Sequence, residues 1–93
     1  GGGGSITFES SEGGNLVASF KVVKNGTADI ESSIVKSKLE TGNDVKCISL
    51  LFTTSISSSD YLEVWAANTT NTKSIIVSHM SFFSTGLPYT PSA

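Results

Sequence analysis

Asn15-Leu16-Val17-Ala18-Ser19-Phe20-Lys21-Val22-Val23-Lys24-Asn25-Gly26 is the stretch that decides the fold class. Leu16, Ala18, Phe20 and Val22 recur at every second position, with Ser19 and Lys21 between them. A period of two places successive side chains on opposite faces of an extended chain, so this segment reads as a strand with one buried face. Asn25-Gly26 ends it. A two-residue type I′ hairpin turn needs positive φ at both central positions, and Asn-Gly supplies them at low steric cost. A returning strand is therefore expected from Ala28 to Leu39. Its apolar positions, Ile30, Ile34, Val35 and Leu39, sit near helical spacing, but Ser32, Ser33 and Ser37 weaken a helix and the hairpin turn demands a strand, with a break near Ser32-Ser33.

The pattern extends in both directions. Ile6-Thr7-Phe8 reads as a short strand, closed by the turn cluster from Ser10 to Gly14. From Val45 to Ser55, Ile48, Leu50 and Phe52 lie on one face and Cys47, Ser49 and Leu51 on the other. Apolar residues on both faces predict a strand covered on both sides. Tyr61 to Ala67 sets Leu62, Val64 and Ala66 against Tyr61, Glu63 and Trp65. Ser74 to Ser84 sets Ile76, Met80 and Phe82 against Ile75, Val77 and Phe83. Thr41–Asp44 and Ser57–Asp60 are turns, and Asn68–Thr72 is a polar loop tip. Gly1–Ser5 has nothing to pack with and is expected to be a flexible, glycine-rich lead-in. One domain is expected over Ile6–Gly86, followed by an extended tail over Leu87–Ala93, where each proline biases its predecessor away from helix.

Composition agrees. Ile, Val and Thr total 24 of 93 residues, and such β-branched side chains suit a pleated sheet. Turn signals recur with no helix read between them, which predicts a compact antiparallel β-sandwich or barrel. Leu, Ile, Val and Phe together number 25, above the roughly one-fifth of a chain below which disorder is expected. No apolar run approaches the roughly 18 residues of a membrane span, so no membrane insertion is expected. The six cations are all lysines and the net charge is −2, which speaks against a nucleic-acid partner. The single cysteine, Cys47, excludes an intrachain disulfide and a cysteine-rich zinc site, and it reads as a small half-buried strand residue.

No chemistry-bearing constellation emerges. His79 is the only histidine and lies in an apolar strand, where a structural or interface role fits best. No Gly-x-Ser-x-Gly elbow accompanies the 17 serines. The carboxylates are scattered over turns and strand ends instead of being paired for glycoside cleavage. Asp44 and Asp60 read as turn caps, and Asn43-Asp44 lacks the ligand series of a calcium loop. Asn25-Gly26-Thr27 and Asn68-Thr69-Thr70 match the glycosylation pattern and are read as loop tips. No catalytic residue, cofactor or metal is expected. Apolar residues on both faces of two aromatic strands exceed what one sandwich core needs. Tyr61 and Trp65 either pack inside that core or leave it to meet a neighbouring subunit.

The order of signals resembles the small trimeric jelly-roll heads of the tumour-necrosis-factor-like and complement-globular-head group. The resemblance covers roughly residues 16–83. It is carried by Lys24-Asn25-Gly26, the Ser/Thr-rich middle strands, and Ser59-Asp60-Tyr61-Leu62-Glu63-Val64-Trp65 followed by an Asn/Thr tip and a final aromatic strand. The short heads that end bacteriophage fibres and other virion appendages are the more similar version. Where that group has an acidic residue and an aromatic opening a strand beside the threefold axis, this chain has Asp60-Tyr61. Ser59 stands where a glycine is usual.

The resemblance implies a jelly-roll-like sandwich assembled as a homotrimer, without enzymatic activity, on the surface of a virion. Its role would be the head of a fibre, spike or appendage that binds a host surface or a neighbouring virion protein. Subunit contacts would involve Tyr61, Glu63, Trp65 and Tyr89. Asn68, Thr69, Thr70, Asn71 and Thr72 would form a loop facing a host-surface glycan or protein, with avidity raised by three copies. A capsid decoration protein clamping lattice neighbours is the alternative. A carbohydrate-active tailspike domain is fainter, because no close carboxylate pair is present.

Overall fold

The alternating segment folds as expected. The computed structural model describes residues 1–11, 13–40 and 45–84; the turn expected at Thr41–Asp44 and the tail with Tyr89 lie outside them. The strands are β1 (Gly2–Ser10), β2 (Leu16–Lys24), β3 (Ala28–Asp29), β4 (Val35–Leu39), β5 (Val45–Phe52), β6 (Leu62–Asn68) and β7 (Ile75–Ser84). They form two antiparallel sheets. In the first, β1 lies between β5 and β7; in the second, β2 lies between β6 on one side and β3 with β4 on the other.

Leu16, Ala18, Phe20 and Val22 of β2 are all buried, facing Ile6 and Phe8 of β1. The Phe8 and Phe20 rings meet between the sheets with centroids 4.8 Å apart and planes tilted by 59°, a favoured aromatic geometry. Asn25 (φ 56°) and Gly26 (φ 72°) turn the chain, and the Thr27 N–H donates to the Lys24 carbonyl at 3.2 Å. The returning segment breaks at a 3-10 turn, Glu31–Ser33. There the buried Ser33 hydroxyl accepts the Val22 N–H at 2.8 Å and donates to the Ile30 carbonyl at 2.6 Å. The hydroxyl thus stands in for the strand partner that β2 lacks at this point, satisfying a buried amide that would otherwise be costly.

The glycine-rich start is not a flexible lead-in. Gly2–Gly4 belong to β1, the central strand of the first sheet, paired with Leu50–Phe52 on one side and Phe82–Ser84 on the other. The missing side chains have a packing role. Phe52 and Phe82, from the two flanking strands, stack with ring centroids 5.5 Å apart and planes 9° from parallel. A Cβ at Gly2 would meet the Phe83 carbonyl and lie 2.7 Å from Phe52 Cζ, and one at Gly3 would meet the Leu50 carbonyl.

Three further expectations change. Cys47 is exposed, because it lies on the outer face of β5. Leu51 on that same face is 71% exposed, so β5 is covered on one side only. In β7, the register with β1 shifts between Thr7 and Phe8, so that Met80 pairs with Ile6 and Val77 with Phe8. This bulge at Ser78 resets the alternation. Ile75 and Val77 join Met80 and Phe82 on the inner face, while Ile76 moves out with His79 and Phe83.

Asp60 caps its turn and also ties two turns together. It accepts hydrogen bonds from the Asn25 amide (2.9 Å) and from the Ser57 N–H (2.9 Å) and hydroxyl (3.1 Å), with Lys24 Nζ at 3.4 Å. The other end of the Asn25 amide accepts the Tyr61 N–H at 3.0 Å. The Asn25 and Ser57 donors, with the Lys24 charge, hold the Asp60 carboxyl well below the ordinary carboxylate range.

Two predictions follow from this packing. Gly2→Val should destabilise the fold by about 1–3 kcal/mol in chemical denaturation, as overpacked sites do; a flexible lead-in would give no loss. For Asp60 the folded-state pKa is depressed, so its contribution is complete above about pH 4 and fades as pH falls through the lower folded value. Asp60→Asn should therefore lower the Tm near neutral pH, with the gap to wild type closing in strong acid. A gap independent of pH would contradict the carboxylate's role.

Candidate functional site

The two long sides of the sandwich are finished differently. Beside β5, the 3-10 turn closes the core; the Thr53 N–H donates to Ser32 Oγ at 3.2 Å, and Leu50 and Phe52 are buried. Beside β6 and β7 nothing equivalent covers the core among the described residues. Val77, Met80 and Phe82 point inward by register, yet they are 44%, 50% and 38% exposed. Leu62, Val64 and Ile75 pack on the core only in part. The result is an open apolar seam between two edge strands. β7 contributes Ile-Ile-Val-Ser-His-Met-Ser-Phe-Phe-Ser, without one Lys, Arg, Asp or Glu. Edge strands are usually guarded by charge, proline, brevity or a bulge, and the bulge at Ser78 is the one of these that β7 carries.

Tyr61, Glu63 and Trp65 fall on the opposite, outer surface of the second sheet. Trp65 pairs with Lys21, and Glu63 with Val23. Tyr61 (55% exposed) reaches the hairpin tip: its hydroxyl and Glu63 Oε1 both lie 3.1 Å from where a Cβ would be on Gly26. Trp65 is 44% exposed and borders a shallow groove of about 420 Å³ that runs towards β4. Lys21 Nζ lies 2.9 Å from both carboxylate oxygens of Asp29 and 5.1 Å from the centre of the Trp65 ring. The cation is thereby held between a carboxylate and an aromatic face.

The Asn/Thr loop is exposed and internally tied. Asn68 Oδ1 accepts the N–H groups of Thr70 (2.9 Å) and Asn71 (3.1 Å), and the Asn68 amide donates to the Lys73 carbonyl at 2.9 Å. Asn71 Oδ1 accepts the Lys73 N–H at 3.0 Å. Thr70 Oγ1 accepts the Val17 N–H at 2.9 Å, and the Thr69 hydroxyl donates to the Val17 carbonyl at 3.2 Å. Of the five loop residues, Thr72 has no side-chain bond of this kind. These bonds fix the loop's shape and leave few amide groups facing outward.

His79 lies in an outer row with Thr7 and Cys47 on the first sheet, on the far side of the core from Glu63 on β6. Among the described residues no three of His, Cys, Asp and Glu gather as a metal site would require. Sequence reasoning missed the inward set on β7, since a bulge cannot be read from alternation. It also missed Lys21, Asp29 and Lys36 as neighbours of Trp65, because their proximity depends on strand register. No protein-family model, curated protein or solved structure matches the chain, so the likeness to trimeric jelly-roll heads rests on the motifs quoted above.

Proposed function

We propose that this chain is a non-catalytic virion structural protein. It acts as the head of a fibre, spike or appendage and assembles as a homotrimer to attach to a host surface or a neighbouring virion protein. The observation that carries this reading is the open seam. Core-facing Val77, Met80 and Phe82 remain partly in water because no further strand among the described residues covers them. At about 25 cal/mol per Å² of apolar surface removed from water, sheltering these side chains stabilises an assembly substantially.

A second copy is the occupant that fits. The edge lacks charge, so a partner needs no complementary charges, and the copy's own seam supplies an equally apolar surface. Three seams turned towards one axis would pool their inward residues into a shared core, as the resemblance implies. The passage of the chain between sheets from β1 to β2, and again at β4–β5, β5–β6 and β6–β7, supports a jelly-roll-like path. Because Tyr61, Glu63 and Trp65 face away from the seam, the centre of the interface in this reading is β7, and the outer faces and loop tips stay free for attachment.

Light scattering on the intact chain should give three times the 9.7 kDa protomer mass. Met80→Lys combined with Val77→Lys should yield folded monomers by circular dichroism, whereas Thr72→Lys should leave the trimer intact. A wild-type protein that is monomeric at micromolar concentration would overturn the assembly.

A further inference from the structure

We infer that the groove beside Trp65 is a binding site for an acidic saccharide, with a sugar ring laid against the indole and its carboxylate paired to Lys36. This names a ligand class for the attachment part of the role proposed above and rests on it. It does not depend on how the copies assemble.

Three features of the groove carry the assignment. Its base is made of the small side chains of Ser19 and Ala67, with the Ala66 backbone between them and Trp65, and Lys36 on β4 borders the far side. Such a base is flat and shallow, which suits a ring presenting its C–H face and gives little hold to a bulky side chain. Secondly, the indole is pre-positioned. Lys21, fixed by Asp29, braces Trp65, and the ring still leaves 44% of its surface to solvent. Ordering an aromatic platform before binding lowers the entropy cost of using it. Thirdly, the charges are not equivalent. The ion pairs among the described residues are Lys21–Asp29 and Lys24–Asp60, so Lys36 borders the groove without a carboxylate partner. An incoming carboxylate meets one uncompensated ammonium, with the Ser19 hydroxyl beside it in register.

A peptide is the weaker fit. An extended peptide would add to the free edge of β6 through main-chain hydrogen bonds, whereas this groove lies on the sheet face, where no backbone donors are available.

Trp65 is the only tryptophan, so tryptophan emission, excited selectively over the two tyrosines, reports on this groove. The intact chain should be titrated with an oligogalacturonate, with its carboxyl-reduced neutral counterpart, and with oligoglutamate. A saturable fluorescence change is expected with oligogalacturonate, and binding about tenfold or more weaker with the neutral sugar. Lys36→Glu should weaken oligogalacturonate binding to a similar degree and Lys36→Arg should restore it, both variants being folded by circular dichroism. Trp65→Phe, followed by calorimetry, should bind more weakly than wild type. Absence of a saturable change, equal binding of the neutral sugar, or indifference to Lys36→Glu would overturn the site. Equal binding of oligoglutamate would overturn the saccharide assignment in favour of an unspecific anion face. Light scattering on the same samples reads the trimer separately, so either proposal can fail alone.

Discussion

The contact between Phe8 and Phe20 is the constraint on which the rest of the structure depends. The two rings come from the central strands of different sheets, so their contact sets where the sheets face each other. The other buried residues of the core cluster are positioned relative to that pair. Ile6 extends the layer from β1, Leu16, Ala18 and Val22 extend it from β2, and Leu39, Leu50 and Phe52 close it from the flank. The hairpin at Asn25-Gly26 and the Asp60 clamp hold the end of β2 in place, which keeps Phe20 in register with its partner.

From this centre the two flanks diverge. On one, a buried serine hydroxyl replaces a missing strand, and the 3-10 turn seals the core against β5. On the other, β6 and β7 end the two sheets with their inward side chains only partly covered. The asymmetry has a simple origin. The returning segment, interrupted by a turn, folds its own residues over the gap, while the ten-residue β7 runs along the edge past its bulge and, among the described residues, nothing folds back over it. That difference is why assembly is assigned to β7 and why the opposite face and the loops remain available for other contacts.

The outer face of the second sheet shows how register makes a site from ordinary surface residues. Lys21 and Trp65 are direct cross-strand partners, as are Ser19 and Lys36, and Asp29 arrives from the short β3. None of these residues is unusual alone. The loop at Asn68–Thr72 looks more promising as sequence, yet its amides and hydroxyls are largely engaged with one another and with Val17.

By itself the sequence determined the all-β class, the position of β2, the Asn25-Gly26 hairpin and the interruption near Ser32-Ser33. Those features depend on local chemistry: side-chain alternation, positive φ, and hydroxyls that compete for backbone partners. Tertiary structure alone decided that Gly2–Gly4 form a central strand, that Ser78 bulges and reverses the faces of Ile75–Val77, and that Trp65 lies beside Lys21 instead of in the core. A glycine run carries no pattern, and it becomes a strand only because β5 and β7 supply hydrogen bonds on both sides while Phe52 and Phe82 stack across it. The physical reason is the same in each case: these outcomes are set by which strand lies next to which, and neighbours distant along the chain leave no periodic trace in the residues that will meet them.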